Sequence, residues 1–139
     1  MLRHLAIVVL FFSALSMAQA GTINDALIGT AWIADDIGGR GVVDRAQSTL
    51  EFAKPGQIGG LAGCNRYFGP VTLEGDTISF GNLASTRMMC ADTLMNQEQR
   101  FFQALSAAKR LELTHEGQIL RMYADDGAPV LRFSRIVDK

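Results

Sequence analysis

The sequence predicts an α+β domain in which a curved, mostly antiparallel sheet, partly closed like a barrel, packs against one amphipathic helix. Three observations lead there. About seven short apolar or alternating runs are joined by tight-turn signals, whereas a parallel crossover needs a dozen or more residues. One segment late in the chain, residues 92–108, has helical spacing and contains neither glycine nor proline. Beyond an apolar leader about 120 residues remain, enough for one core and not for two.

The leader, MLRHLAIVVLFFSALSMAQA, begins with Arg3 and His4, runs apolar from Leu5 to Leu15 and closes on Ala18-Gln19-Ala20. That run is too short to span a bilayer stably, and small residues stand where signal peptidase reads. Residues 1–20 are therefore expected to be a signal peptide, with cleavage between Ala20 and Gly21. No cysteine lies near that junction to take a lipid. The expected product, residues 21–139, is a single exported domain, periplasmic or secreted from a bacterium, monomeric and without stable membrane insertion. Setting the leader aside removes one basic residue, Arg3, and leaves 12 basic against 14 acidic side chains, a net charge of −2. Neither nucleic acid nor anionic lipid is favoured as a partner by such a balance.

The elements follow in chain order. Thr30-Ala-Trp-Ile-Ala reads as an opening strand and Gly38-Gly-Arg-Gly as the loop after it; that loop lacks the lysine and following helix of a phosphate-binding loop. Residues 48–53 alternate, with Leu50 and Phe52 on one face and Thr49 and Glu51 on the other. Pro55-Gly56 turns the chain into Ile58-Gly-Gly-Leu-Ala, a strand whose missing side chains admit close neighbours. Val71–Glu74 and Thr77–Phe80, around Gly75-Asp76, read as a hairpin. The helix places Leu94, Phe101, Leu105 and Ala108 on one face, with Asp92 as its expected N-cap. Strands then follow at Leu111–Thr114, Ile119–Tyr123 and Val130–Phe133, the last with Leu131 and Phe133 opposite Val130 and Arg132.

Past the leader the chain has two cysteines, Cys64 and Cys90, and one histidine, His115. In an oxidising compartment an even pair suggests an intramolecular disulfide, with two buried free thiols as the alternative. One histidine and two cysteines without metal-ligand spacing do not make a zinc site, and no cofactor is expected. Nothing orients His115 to activate either thiol; it reads as a solvated turn residue. Met88, Met89 and Met95 are read as core packing rather than as ligands for a soft metal. No serine–histidine–aspartate order, phosphate-cradling loop or recognisable carboxylate pair supports an enzyme.

Two segments, GCNRYFG at 63–69 and STRMMCAD at 85–92, followed by QEQRFFQAL at 97–105, resemble the META domain, and within it the heat-shock protein HslJ type. The resemblance extends from about Trp32 to Phe133. It implies a curved antiparallel sheet with one helix, carried by exported or membrane-attached bacterial proteins associated with heat stress, antibiotic tolerance, secretion or motility. It supplies no catalytic residues.

Gly60 and Gly63 permit a tight, positive-φ course and Asn65 can hold it, which would present Cys64 to Cys90. Glu98 lies inside the apolar stripe, between Leu94 and Phe101, where a carboxylate is costly unless it is partnered. Three readings stand for it: the stripe's edge reaching water, a structural ion pair with Arg87 or Arg66, or a ligand-binding or catalytic role. Asn65, Arg66, Tyr67 and Arg87 are the candidate binding residues, polar and aromatic groups beside a rigid turn. The leading function is a non-catalytic envelope-stress module binding an envelope protein or small ligand. The alternatives are a thiol-dependent redox protein or enzyme using Cys64 and Cys90, and an inhibitor of envelope proteases.

Overall fold

A computed structural model describes residues 22–137. The predicted leader and its cleavage junction lie outside the described residues. In chain order the elements are α1 (Ile23–Leu27), β1 (Thr30–Ile37), β2 (Thr49–Lys54), β3 (Gln57–Leu61), β4 (Arg66–Glu74), β5 (Thr77–Phe80), β6 (Ala84–Ser85), α2 (Asp92–Ala107), β7 (Arg110–Thr114), β8 (Ile119–Tyr123) and β9 (Pro129–Ile136).

Every strand pairing is antiparallel, and the order β3-β2-β1-β9-β8-β7-β5-β4 closes on itself because β3 also pairs with β4. The partly closed sheet expected from the sequence is thus a closed barrel, with the two-residue β6 added alongside the first half of β4. Its seams differ in depth. β1 and β9 pair from Ala31 opposite Ile136 to Ile37 opposite Leu131. β5 and β7 share one register pair, Thr77 with Arg110, flanked by hydrogen bonds from Ile78 N–H to the Lys109 carbonyl and from Leu111 N–H to that of Asp76.

Alternating inward residues fill the barrel: Trp32, Leu50, Phe52, Ile78, Leu111, Leu120, Met122, Leu131 and Phe133 are all buried. Removing that much apolar surface from water is the main force holding so small a domain together. The α2 side chains Phe101 and Leu105 complete this core, and Phe101 packs edge-on against Phe133 and Tyr67. Among the described residues no helix is long and apolar enough to cross a membrane.

Five expectations need correction, the first being the start of the hairpin's leading strand, which lies at Arg66 and not at Val71. The opening strand runs three residues past Ala34, because β9 continues to pair with it across a register shift that leaves Asp35 without an opposite residue. Asp35 then accepts hydrogen bonds from Arg132 and Ser134, both at 2.6 Å. A second helix, α1, precedes β1; Thr22 accepts from the Asp25 amide and Asp25 accepts in return from that of Thr22, and Leu27 buries completely. Asp92 is not the cap of α2. That place falls to Ala91, whose carbonyl receives the Leu94 and Met95 amides, because the bridge at Cys90 fixes where the helix begins. Asp92 instead sits in the first turn, where its charge meets the positive end of the helix. Lastly, Met88 and Met89 are not core residues: they are 56% and 88% exposed.

Candidate functional site

The glycines of the 59–63 stretch are set by what lies against them. Gly60 has φ +151°, and a Cβ there would stand 2.4 Å from the Thr49 carbonyl oxygen. That same oxygen accepts a 2.6 Å hydrogen bond from the Tyr67 hydroxyl. A side chain at Gly60 would push β2 off β3 and break this bond. Gly63, at φ +137°, faces the backbone of α2, where a Cβ would lie 3.1 Å from the Leu94 carbonyl. Both positive-φ expectations hold, and each reflects a close backbone approach.

Ala62 N–H bonds the Asn65 carbonyl, and the short turn between them carries Cys64. Cys64 and Cys90 form a disulfide across 26 residues, with Cα atoms 5.9 Å apart. The bridge ties the β3–β4 turn to the residue before the α2 cap. Asn65, 3% exposed, binds both sides of this junction. Its side-chain oxygen accepts from Met88 N–H at 2.6 Å and from the Thr86 hydroxyl at 2.9 Å. Its side-chain nitrogen donates to the Met88 carbonyl and to Glu98 Oε2.

Glu98 pairs with neither Arg87 nor Arg66. Its two oxygens accept from Asn65 alone, Oε1 from the backbone N–H at 2.7 Å and Oε2 from the side-chain amide at 3.0 Å. Nor does it sit at the edge in water, being 8% exposed. Neutral donors on a rigid turn meet the need that the sequence assigned to arginine. The ion pair among the described residues is Asp35 with Arg132, across the sheet.

Of the four candidate binding residues, Asn65 and Tyr67 are buried and face the junction and the core. The Tyr67 phenol is pushed well above the ordinary tyrosine range, by burial first and by the Glu51 carboxylate second, so it stays a donor. Arg66 and Arg87 are exposed. Arg66 shares the outer face of β4 with Phe68, which is 68% exposed. Alongside, Thr86 N–H bonds the Arg66 carbonyl, and Arg87, Met88 and Met89 project from the segment that follows. An outward apolar and cationic face is thereby mounted on the locked junction.

Met88 and Met89 were missed as surface residues because hydrophobicity alone reads as burial, and Phe68, 68% exposed, was not among the four candidates. Gln97 was missed as well. It is fully buried, accepts from Val43 N–H and donates to the Ala46 carbonyl and the Ser48 hydroxyl, so it fastens the 42–48 loop to α2. The signal was its place three residues after Leu94, on the same stripe as Glu98. His115 lies in the β7–β8 turn at φ +52°, exposed as expected. Among the described residues no group of three His, Cys, Asp or Glu side chains is placed to hold a metal ion.

The family model described as META domain matches residues 25–136, which takes in both motif segments. The chain belongs to the META domain family. An NMR structure of a protein from Burkholderia xenovorans is similar to this META domain with a TM-score of 0.70 and 27% identity, over 83% of this chain and 87% of that one. A second NMR structure, at 23% identity, shares the fold with a TM-score of 0.63 over 80% of this chain and 92% of the other. Among curated proteins none matches this META domain.

Proposed function

We propose that this META domain works outside the cytoplasm, under envelope stress, as a non-catalytic module that binds a protein partner through the face carrying Arg66, Phe68, Arg87, Met88 and Met89. One observation carries the reading: large apolar side chains, Phe68 at 68% and Met89 at 88% exposure, stand beside two arginines on backbone fastened by a disulfide and a buried carboxylate. Aromatic, methionine and arginine side chains are those enriched where proteins meet, and a rigid mount lowers the entropy lost on binding. The bridge between Cys64 and Cys90 suits an oxidising compartment. The inward residues of the junction serve this face by holding it still. A partner of complementary chemistry presents an apolar patch rimmed by acidic side chains.

A photo-crosslinking residue at position 66 in the exported protein tests this. It should yield a discrete protein adduct that disappears in a variant combining Phe68→Ser with Met89→Ser and is weakened by Arg87→Glu. Thermal stability should stay within about 0.5 kcal/mol, as for surface substitutions generally. An adduct of equal yield in both variants refutes the assignment.

A further inference from the structure

The Gly38-Gly-Arg-Gly loop follows β1 and does not contribute to the junction. Gly38, Gly39 and Gly41 all have positive φ, at +63°, +78° and +65°. The Asp36 carboxylate braces the loop, accepting from the amides of Gly39 and Gly41, both at 2.8 Å. Gly38 N–H bonds the Val130 carbonyl, so the loop is also pinned to β9. This course carries Arg40 to the mouth of a cleft of about 330 Å³ between the loop, β9 and α2.

Across the cleft from the loop stands Arg100, half-buried on α2, with one guanidinium nitrogen donating to the Ile37 carbonyl at 3.2 Å. Gln103 lies on the rim, and Ile37, Ala104 and Val130 supply an apolar floor. No carboxylate lines this space, and among the described residues neither Arg40 nor Arg100 takes part in an ion pair. Of the acids close along the chain, Asp36 already accepts from two loop amides and Glu98 from Asn65, and Asp44 forms no ion pair with either arginine. Two guanidinium groups over an apolar floor suit one kind of ligand, because a planar fork binds an oxyanion strongly and a small concave site fixes the body attached to it.

We propose that this cleft binds a small organic anion, its carboxylate held between Arg40 and Arg100 and its compact apolar body resting on Ile37, Ala104 and Val130. The Asp36 brace and the Ile37 carbonyl pre-set the loop and Arg100, so little is ordered on binding. The site is separate from the Phe68 face and does not depend on it.

Amide NMR titrations with benzoate, benzamide and inorganic phosphate decide the matter. Benzoate should shift the amides of Gly39, Gly41 and Ala104, with affinity falling about tenfold in Arg100→Gln, the loss expected when a charge-assisted hydrogen bond is removed. Arg40→Gln should act in the same direction. Because Arg40 lies on an exposed loop, that variant carries the test even where Arg100→Gln perturbs folding. Benzamide binding as well as benzoate overturns the need for charge. Phosphate binding as well as benzoate overturns the need for the apolar floor. No benzoate shift, or equal benzoate affinity in the folded variants, overturns the site.

Discussion

Two seams close this barrel on either side of β4 and β5, and they are built differently. Where β3 meets β4, five register pairs from Gln57–Pro70 to Leu61–Arg66 are backed by Gly60, the Tyr67 hydroxyl, the Cys64–Cys90 bridge and the Asn65–Glu98 contact. Where β5 meets β7, one register pair and two neighbouring hydrogen bonds span the seam. Helix α2 touches β5 on one side of this thin seam, and its C-terminal end leads directly into β7 on the other. Since the bridge holds the residue before the α2 cap and Asn65 holds Glu98 in its first half, the fastenings at the strong seam also hold the helix that joins the two sides of the weak one. The lesson is that a motif concentrated at one place in a barrel can stabilise a distant opening through a rigid helix.

The largest test of this comparison removes the bridge. Replacing Cys64 and Cys90 together with alanine should cost about 3.5 kcal/mol, the value loop closure gives for a ring of this length, measured by denaturant unfolding. A loss near zero would show that hydrogen bonds alone set the strong seam. Next comes Glu98→Gln, which turns one acceptor into a donor aimed at Asn65 donors and should lower stability by about 2 kcal/mol. Unchanged stability would mean that the Asn65 contact is dispensable. The smallest effect sharpens the contrast itself: in the unaltered protein the Ile78 and Leu111 amides should exchange about tenfold faster than those of the β1–β9 ladder. The bridge-free variant should widen that gap. Equal exchange at both places removes the distinction between the seams.

Much of the fold was legible because burial imposes short-range patterns. Leu50 with Phe52, Leu131 with Phe133, and Phe101 with Leu105 and Ala108 each declared their inward face by spacing, and all are buried. What spacing could not convey was pairing at a distance. Asp35 and Asp36 look like loop residues until β9 lies beside them. The stripe exposed the problem at Glu98 correctly, but its partner is 33 residues away and is an asparagine, so the habit of matching charge with charge chose wrongly. Strand β4 begins at Arg66 rather than at Val71 because β3 and β6 both pair with its first half, which overrides the turn-rich composition of the motif. At the candidate face the two motif segments were found, yet of the four residues chosen from them only Arg66 and Arg87 point outward. Phe68, Met88 and Met89 needed the register of β4 and the exposed course of the segment after β6.

Ala31 and Ile136 stand opposite one another in the β1–β9 ladder, so the barrel receives the chain and releases it at the same pole. The start of β1 and the end of β9 share that pole, and α1, tied to the Leu73 carbonyl through Asn24, leads into the first. Tension applied between those ends loads the ladder one rung at a time, in the unzipping direction, and this META domain should therefore open mechanically at a lower force than a barrel whose ends lie at opposite poles.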